Sequence, residues 1–266
     1  MGRDQTGTGA IDMSWLSTLA ALRRGLALVA AWSPIAVCAA GGTVPLDPWP
    51  KHKLQDQAAL QSGLRTYMNY CAGCHAQSSV RYFSLQSLGL DKKQIEANLI
   101  LGGGKISDTI NNAMSKNDAK AWFGVVPPDL SVIGRARGGD WLYTYLRGFY
   151  RDSARQSGWN NLVFANVGMP HVLHVLQGEQ VLVEQKETDK SGAEHVIGRR
   201  LELAQPGEMT RAAYDNFVGD LVAYLVYIGE PHQVARKKIG IVVLFALVLI
   251  FFVVYPLKRA YWADLH

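Results

Sequence analysis

The residues with the clearest chemistry are two cysteines and a histidine in the segment Cys71-Ala72-Gly73-Cys74-His75. The pattern C-x-x-C-H is the attachment signal of a covalent c-type haem. On a short helix, positions i, i+3 and i+4 share one face. Both thiols can then reach the haem vinyl groups, while the imidazole of His75 reaches the iron. The segment predicts one covalently bound haem c.

Two other uses of a C-x-x-C pair are a redox dithiol and half of a zinc site. A structural zinc site needs further thiol or imidazole ligands at its usual spacing. A thioredoxin-like motif has no use for the adjacent histidine. Haem attachment accounts for all three residues, so it is the interpretation that the motif favours.

An iron bound by one histidine has either an open position or a second axial ligand, and methionine is the first candidate. Met68 lies in the same expected helix as Cys71 and cannot reach the opposite face of the ring. Met114 and Met209 lie in polar stretches. Met169 lies between a glycine and a proline, in an irregular loop able to hold a thioether against iron. We expect Met169 to be the sixth ligand.

Alternatives to this ligand stay open. Met169 could be a core methionine, and His171 and His174 are rival ligands. Methionine ligation raises the reduction potential, whereas two histidines lower it. A six-coordinate iron leaves no position for oxygen or peroxide, which favours electron transfer over haem catalysis. No nucleophile with its base, no carboxylate pair and no metal cluster stands out elsewhere in the sequence.

The N-terminal part has the form of a secretory signal. Arg23 and Arg24 precede an uncharged run over 25–37, and small residues follow as far as Gly41. Export agrees with the motif, because haem is attached through thioethers outside the cytoplasm. We expect residues 1–40 to be a cleaved signal peptide; a first membrane anchor is the alternative.

Met13 is a second candidate for the start of this signal, because the residues before it add nothing to the apolar run. Cys38 is the only cysteine outside the haem motif. Val37 fits poorly before a lipid-modified cysteine, so we expect Cys38 to leave with the peptide. The exported chain then has two cysteines, both used by haem, and no structural disulfide.

The other end of the chain predicts a membrane span. Residues 239–255 are uncharged, and these 17 residues rise about 25 Å as a helix, near the lower limit for crossing a bilayer. Cations precede the run, and cations with aromatic residues follow it. We expect an anchor over 236–258 and a cytoplasmic tail over 259–266. A buried core helix is the alternative.

Residues 41–235 form the expected periplasmic cytochrome c domain. They hold 19 Lys and Arg against 19 Asp and Glu, so the chain's net charge of +5 gives no support to nucleic-acid binding. Residues 41–178 carry 14 basic and 9 acidic groups, and residues 179–235 carry 5 basic and 10 acidic groups. Either these charges intermix in the fold, or the acidic part forms a face that steers a cationic partner.

The elements that must position the chemistry follow from apolar periodicity and turn residues. We expect helices over 56–70, 94–101, 139–150 and 210–229, and a hairpin of strands over 180–184 and 196–203 with a turn over 188–192. The helix over 56–70 leads into the haem motif, and the helix over 210–229 is an amphipathic core element. The sequence contains no internal repeat, which agrees with a single haem.

These features together resemble the cytochrome c1 family, of bacterial type. The resemblance covers nearly the whole chain after the signal. The matching segments are Cys71-Ala72-Gly73-Cys74-His75, Pro127-Pro128-Asp129-Leu130-Ser131, Arg135-Ala136-Arg137-Gly138-Gly139, Gly168-Met169-Pro170, Tyr224-Leu225 and Glu230-Pro231-His232, then the anchor and Lys258-Arg259. C-x-x-C-H alone specifies only haem c, whereas the ordered set is specific to this family.

The resemblance implies a mainly α fold: a class I cytochrome c-like haem domain with insertions, including a small β-hairpin, and one C-terminal transmembrane helix. It implies thioethers at Cys71 and Cys74 and iron ligation by His75 and Met169. A stabilising disulfide found in some relatives has no cysteine pair here to form it.

Two further roles are implied by the resemblance. Arg137 would pair with a haem propionate through a charge-assisted hydrogen bond. A solvated surface cation is the alternative for Arg137. Pro127 and Pro128 would shape a loop against the haem edge.

The resemblance also implies a function, that of the electron-transfer subunit of the bc1 complex (ubiquinol–cytochrome c oxidoreductase). A Rieske iron–sulfur protein would deliver the electron and a soluble or anchored c-type cytochrome would remove it, with cytochrome b beside the anchor in a dimeric complex. No bond is made in this subunit, which would act as a redox subunit of a proton-translocating oxidoreductase. A free-standing anchored electron shuttle is the main alternative. A haem enzyme or gas sensor with a labile sixth position is the other.

Overall fold

The computed structural model of the chain describes residues 44–100, 102–188 and 194–263. The helices are α1 (Gln57–Thr66), α2 (Lys92–Asn98), α3 (Lys116–Phe123), α4 (Ile133–Arg137), α5 (Gly139–Arg147), α6 (His174–Gln177), α7 (Arg211–Gly229) and α8 (Gln233–Tyr261), with 3₁₀ segments at Lys51–Gln55 and Tyr82–Leu88. The strands are β1 (Gln77–Arg81), β2 (Thr109–Ile110), β3 (Phe149–Arg151), β4 (Trp159–Asn161), β5 (Gly178–Thr188) and β6 (Glu194–Pro206). The mainly helical class is confirmed. The expected signal peptide, Cys38 included, lies outside the described residues.

Helix α7 is the centre of the core. The hydroxyl of Thr210 accepts a hydrogen bond from the Ala213 N–H and caps its first turn. Every residue over 218–226 is buried, because α1, α4 and α5 all pack around the helix. The predicted helix over 210–229 is therefore confirmed, but its second half is enclosed on all sides rather than amphipathic, as expected for a helix that is apolar all round.

Helices α1 and α7 approach each other unusually closely at Gly63. A Cβ at this position would lie 2.1 Å from the Asp220 carbonyl oxygen and 2.7 Å from the Tyr224 Cβ. Beside this crossing, the buried Lys53 Nζ lies 2.5 Å from the Asp220 Oδ1. A buried charge is tolerated when it is paired in this way. The crossing therefore fixes the helix that carries the haem motif against the core helix.

Helix α1 leads into the haem motif as predicted, with one local change. The carboxylate of Asp56 accepts hydrogen bonds from the Ala58 and Ala59 N–H groups and caps the helix. After Thr66 the chain widens into a π-helical turn over Tyr67–Cys71. Such turns occur mostly as single bulges and frequently at functional sites. Here the turn ends on the first cysteine of the motif.

Two of the other predicted elements have different bounds in the structure. The helix expected over 94–101 is α2, which begins earlier because Asp91 and Gln94 form a capping box. The helix expected over 139–150 is α5, which ends at Gly148, and the chain then turns into β3, which pairs antiparallel with β4.

The predicted hairpin is confirmed as β5 paired antiparallel with β6, both strands longer than expected. The predicted turn over 188–192 lies mostly outside the described residues.

Helix α8 contains the apolar run near the C-terminus. Its 29 residues rise about 43 Å, more than the ~30 Å hydrocarbon core of a bilayer. None of its residues is buried against the rest of the described chain. In the described part of the chain it is the one helix long and apolar enough to cross a membrane. A buried core helix, the alternative considered from the sequence, does not fit this exposure.

Candidate haem site

The three residues of the haem motif lie within one turn at the end of the π-helical segment. The N–H groups of Cys74 and His75 both donate to the Cys71 carbonyl oxygen, at 3.1 and 2.8 Å. Both thiols are free. Burial raises the pKa of the Cys71 thiol to about 12, and the neighbouring Cys74 makes a smaller contribution in the same direction.

A raised pKa is the opposite of what a reactive dithiol needs, since such a pair works as a thiolate. No three His, Cys, Asp or Glu side chains come together as metal ligands within the ranges that the structure covers. The redox and zinc alternatives for the cysteine pair are therefore disfavoured.

The His75 ring is oriented by a contact from a distant loop. Its Nδ1–H donates to the Pro128 carbonyl oxygen at 2.8 Å, which leaves Nε2 as the bare ring nitrogen. Burial lowers the pKa of His75, and it outweighs the opposing effects of the Pro128 hydrogen bond and of Asp129. The ring is neutral at pH 7, in the tautomer that binds a metal through Nε2.

The backbone at the end of the motif is held by two polar side chains that sequence reasoning did not single out, Tyr67 and Asn112, and by one backbone contact just after it. The Tyr67 hydroxyl donates to the His75 carbonyl oxygen at 2.7 Å, and the Asn112 amide donates to the Cys74 carbonyl oxygen. The Leu130 N–H donates to the Ala76 carbonyl oxygen at 2.8 Å. These bonds tie the motif to both loops that flank it.

Met169 lies half-buried in the irregular loop predicted for it. The Tyr145 hydroxyl donates to its Sδ at 3.4 Å. Burial raises the pKa of Tyr145, so this hydroxyl stays protonated. A Cβ on the preceding Gly168 would lie 2.7 Å from the Val125 Cγ2. The same loop that positions His75 through Pro128 therefore also packs against the methionine segment.

The two rival histidines are placed differently. His171 is buried, its ring stacks on Phe149 with centroids 4.8 Å apart, and Trp159 meets it edge-on at 5.1 Å. Its Nε2 has no hydrogen-bond partner among the described residues. The His174 Nδ1 bonds to the His171 carbonyl oxygen at 2.9 Å. His171 is enclosed by aromatic rings, which disfavours it as a ligand, whereas His174 is exposed and Met169 is half-buried.

Arg137 is exposed at the end of α4. Its guanidinium lies over the rings of Trp141 and Phe164, 5.0 and 5.9 Å from their centroids. Of the carboxylates that the structure describes, none lies within ion-pair distance of it. This cation is held in place by aromatic rings and keeps its hydrogen-bond donors for another anion.

The residues present fit a covalent haem. Two free thiols and a neutral imidazole with bare Nε2 lie in one turn. A thioether that accepts a hydrogen bond from Tyr145 lies in a neighbouring loop, and an arginine with spare donors lies at the end of α4. Together with the long exposed helix α8, this site and fold define a class of protein: a c-type cytochrome with a membrane anchor.

Comparisons with known proteins define the family. The model of the Cytochrome C1 family matches residues 51–265. A protein named cytochrome c1 from Allochromatium vinosum is 43% identical over 235 residues, covering 88% of this chain and 95% of the relative. A protein named ammonia monooxygenase gamma subunit from Nitrosomonas europaea is 45% identical over 234 residues, covering 88% of this chain and 94% of the relative.

Among solved structures, a chain of a hyperthermophilic respiratory Complex III superposes with a TM-score of 0.45 at 15% identity, covering 95% of this chain and all of the other. The family match and the sequence relatives decide the assignment. The chain belongs to the cytochrome c1 family. It is an electron-transfer subunit of the bc1 type, carries one covalent haem c, and is anchored in a membrane.

Proposed function

We propose that this chain carries its haem through thioethers at Cys71 and Cys74, with His75 and Met169 as the axial ligands of the iron. The hydrogen bond from His75 Nδ1 to Pro128 supports this proposal most strongly, because it orients the ring and frees the one nitrogen that iron needs. Arg137 would meet a propionate with its spare donors. The haem supplies one-electron chemistry; the residues around it bind, orient and shield it.

The partners follow from this site. We infer that the chain accepts an electron from a Rieske iron–sulfur protein and passes it to a soluble or anchored c-type cytochrome, with cytochrome b beside α8 in a dimeric complex. Six-coordinate iron suits this role, because nothing has to bind to it. The polypeptide would hold and shield the haem, and no bond is made or broken in the transfer.

The topology of the chain is part of the same proposal. Residues 1–40 would be a cleaved signal, with the start at Met1 or Met13, and residues 41–235 would form a periplasmic domain. Residues 236–258 would then cross the inner membrane and leave 259–266 in the cytoplasm. The length and exposure of α8 support the anchor, and the need to attach haem outside the cytoplasm supports its orientation.

A second candidate function comes from the relative named ammonia monooxygenase gamma subunit. This relative is 45% identical to the chain, and the cytochrome c1 relative is 43% identical. In this case the haem chemistry would be the same, but the chain would deliver electrons within an assembly containing a monooxygenase. The two candidates differ only in the proteins that accompany the chain.

Mild-detergent purification through a tag after His266, with haem spectra and identification of the other subunits, tests the proposal. Co-purification of cytochrome b and an iron–sulfur protein, with reduction of the c haem by quinol, is the expected result. Monooxygenase subunits in their place would favour the second candidate.

Two results obtained with the purified protein would count against the bc1 function. A species with haem c alone, from membranes that retain intact cytochrome b, would indicate an independent shuttle. Carbon monoxide binding to the reduced protein would indicate a labile sixth position, and hence a haem enzyme or gas sensor.

A further inference from the structure

A column of side chains runs along α5 and its flanks at four-residue steps. Arg137, Trp141, Tyr145 and Phe149 follow one another at this spacing. Trp141 and Tyr145 share one side of α5, while Arg137 ends α4 and Phe149 begins β3. The Arg137 guanidinium lies over the Trp141 ring, and the Trp141 ring stacks on Tyr145 with centroids 4.8 Å apart and planes 11° apart. The column therefore connects the expected propionate cation to the side chain that touches Met169.

Within this column Tyr145 is held rigidly. Trp141 covers one face of its ring, and Phe149 meets it edge-on with centroids 5.1 Å apart. Its own carbonyl oxygen accepts a hydrogen bond from the buried Asn161 amide at 2.8 Å. These contacts hold both the ring and the backbone of Tyr145, and they therefore fix the position of its hydroxyl oxygen.

That hydroxyl points at the thioether. Its bond to the Met169 Sδ, at 3.4 Å, is the single hydrogen bond of the Tyr145 hydroxyl within the described residues. Tyr145 is only 9% exposed, and a buried hydroxyl without a partner destabilises the fold. A packing role alone would be served better by phenylalanine, which carries no hydroxyl to satisfy.

We propose that Tyr145 is a positioning residue for the axial methionine, whose hydroxyl holds the Met169 sulfur in place and raises the reduction potential of the haem. This inference rests on the proposed ligation by Met169. A thioether sulfur has two lone pairs, of which one can bind iron and the other can accept the hydrogen bond. The hydrogen bond withdraws electron density from the sulfur. A poorer donor stabilises Fe(III) less, so reduction becomes more favourable.

The test is Tyr145→Phe in the intact membrane complex, which keeps the aromatic stack and removes only the hydroxyl. Only the part of the hydrogen-bond energy that differs between Fe(II) and Fe(III) changes the potential, so the equilibrium constant for reduction should fall severalfold, by about tenfold at most. For a one-electron couple the tenfold limit is a fall in midpoint potential of about 59 mV. The methionine–iron charge-transfer band should persist in the oxidised variant but disappear at a lower urea concentration than in the wild type.

Tyr214→Phe is the matched control. The Tyr214 hydroxyl is also buried and donates to the Leu146 carbonyl oxygen of α5, at 3.0 Å, but it does not touch the methionine. This variant should lose comparable stability and keep the wild-type potential. An equal fall in potential in both variants would mean a general loosening of α5 and would overturn the proposal.

Met169→Leu separates failure of the inference from failure of the ligand assignment. If this variant loses the charge-transfer band and Tyr145→Phe lowers the potential, the inference holds. If the band is lost in Met169→Leu while Tyr145→Phe keeps the wild-type potential and urea midpoint, Tyr145 only packs. If the band survives in Met169→Leu, the ligand assignment is wrong and the inference fails with it.

Discussion

At the scale of single residues, the site depends on partners far away in the chain. His75 is oriented by Pro128, and the carboxylate of the next residue, Asp129, accepts hydrogen bonds from the Ser78 and Ser131 N–H groups, both at 2.8 Å. Partial burial would raise the pKa of Asp129, but these serine hydrogen bonds outweigh it and lower the pKa below its usual value. The carboxylate therefore fixes the loop that carries the Pro128 carbonyl oxygen.

We expect Asp129→Asn to destabilise the domain by about 0.5–1 kcal/mol at pH 7, because an amide can accept only one of the two N–H groups and the site is partly screened by solvent. The folded-state pKa of Asp129 lies below the unfolded value of about 3.9, so its contribution is present above that pH and is lost as the pH falls through the folded-state pKa. The difference between variant and wild type should shrink towards pH 3. Denaturant unfolding at pH 7 and pH 3 measures it.

The control for this measurement is Asp91→Asn. Asp91 is an exposed N-cap of α2, and asparagine caps a helix about as well as aspartate. It should cost little at either pH. A constant penalty for Asp129→Asn at both pH values would contradict an ionic origin.

At the scale of elements, the crossing of α1 with α7 is the contact that places the haem motif. The helical spacing of apolar residues predicts both helices, but it does not reveal how closely they approach. The closeness depends on glycines that face backbone: Gly63 faces Asp220, and Gly134 in α4 faces the backbone of Leu225 and Val226. Helices α1 and α4 thus both contact α7 through positions without a side chain.

Gly63→Ala should therefore destabilise the protein strongly, by about 3 kcal/mol or more, since the new methyl group meets a carbonyl oxygen at 2.1 Å and only a backbone shift relieves the contact. Thermal unfolding of the haem-loaded protein, with haem content per chain, is the measurement. Gly240→Ala in α8 is the matched control, because a Cβ there meets nothing within 4 Å and the residue lies outside the haem motif. Equal melting temperatures for the two variants would show that the crossing tolerates side-chain volume.

Only part of the haem site could be predicted from the sequence. Spacing alone identifies Cys71, Cys74 and His75, and the glycine and proline beside Met169 indicate its loop. No local pattern indicates the roles of Tyr145, Asn112 and Tyr67, because each of them acts through a contact that only the fold creates. For Tyr145 a signal existed, since it lies four residues after Trp141 and eight after Arg137. The π-helical turn also lacks a local signal, because its residues suit an ordinary helix.

At the scale of the whole molecule, the charges of the two halves of the domain intermix. Ion pairs join Lys53 to Asp220, Arg147 to Asp215 and Arg151 to Glu179. Each pair takes its cation from residues 41–178 and its acid from residues 179–235. Of the two interpretations of the uneven charge along the sequence, these pairs favour mutual neutralisation over a separate acidic face.

The anchor and the haem domain should be separable. No residue of α8 is buried, and the Arg236–Glu230 ion pair that its removal would break has a solvent-exposed guanidinium, so it contributes little. Truncation after Ala235 should give a water-soluble protein with the full-length haem spectrum, midpoint potential and melting temperature. Spectroelectrochemistry and thermal unfolding of the two forms in the same detergent measure this. A lowered potential or melting temperature in the truncated form would show that the anchor also stabilises the haem domain.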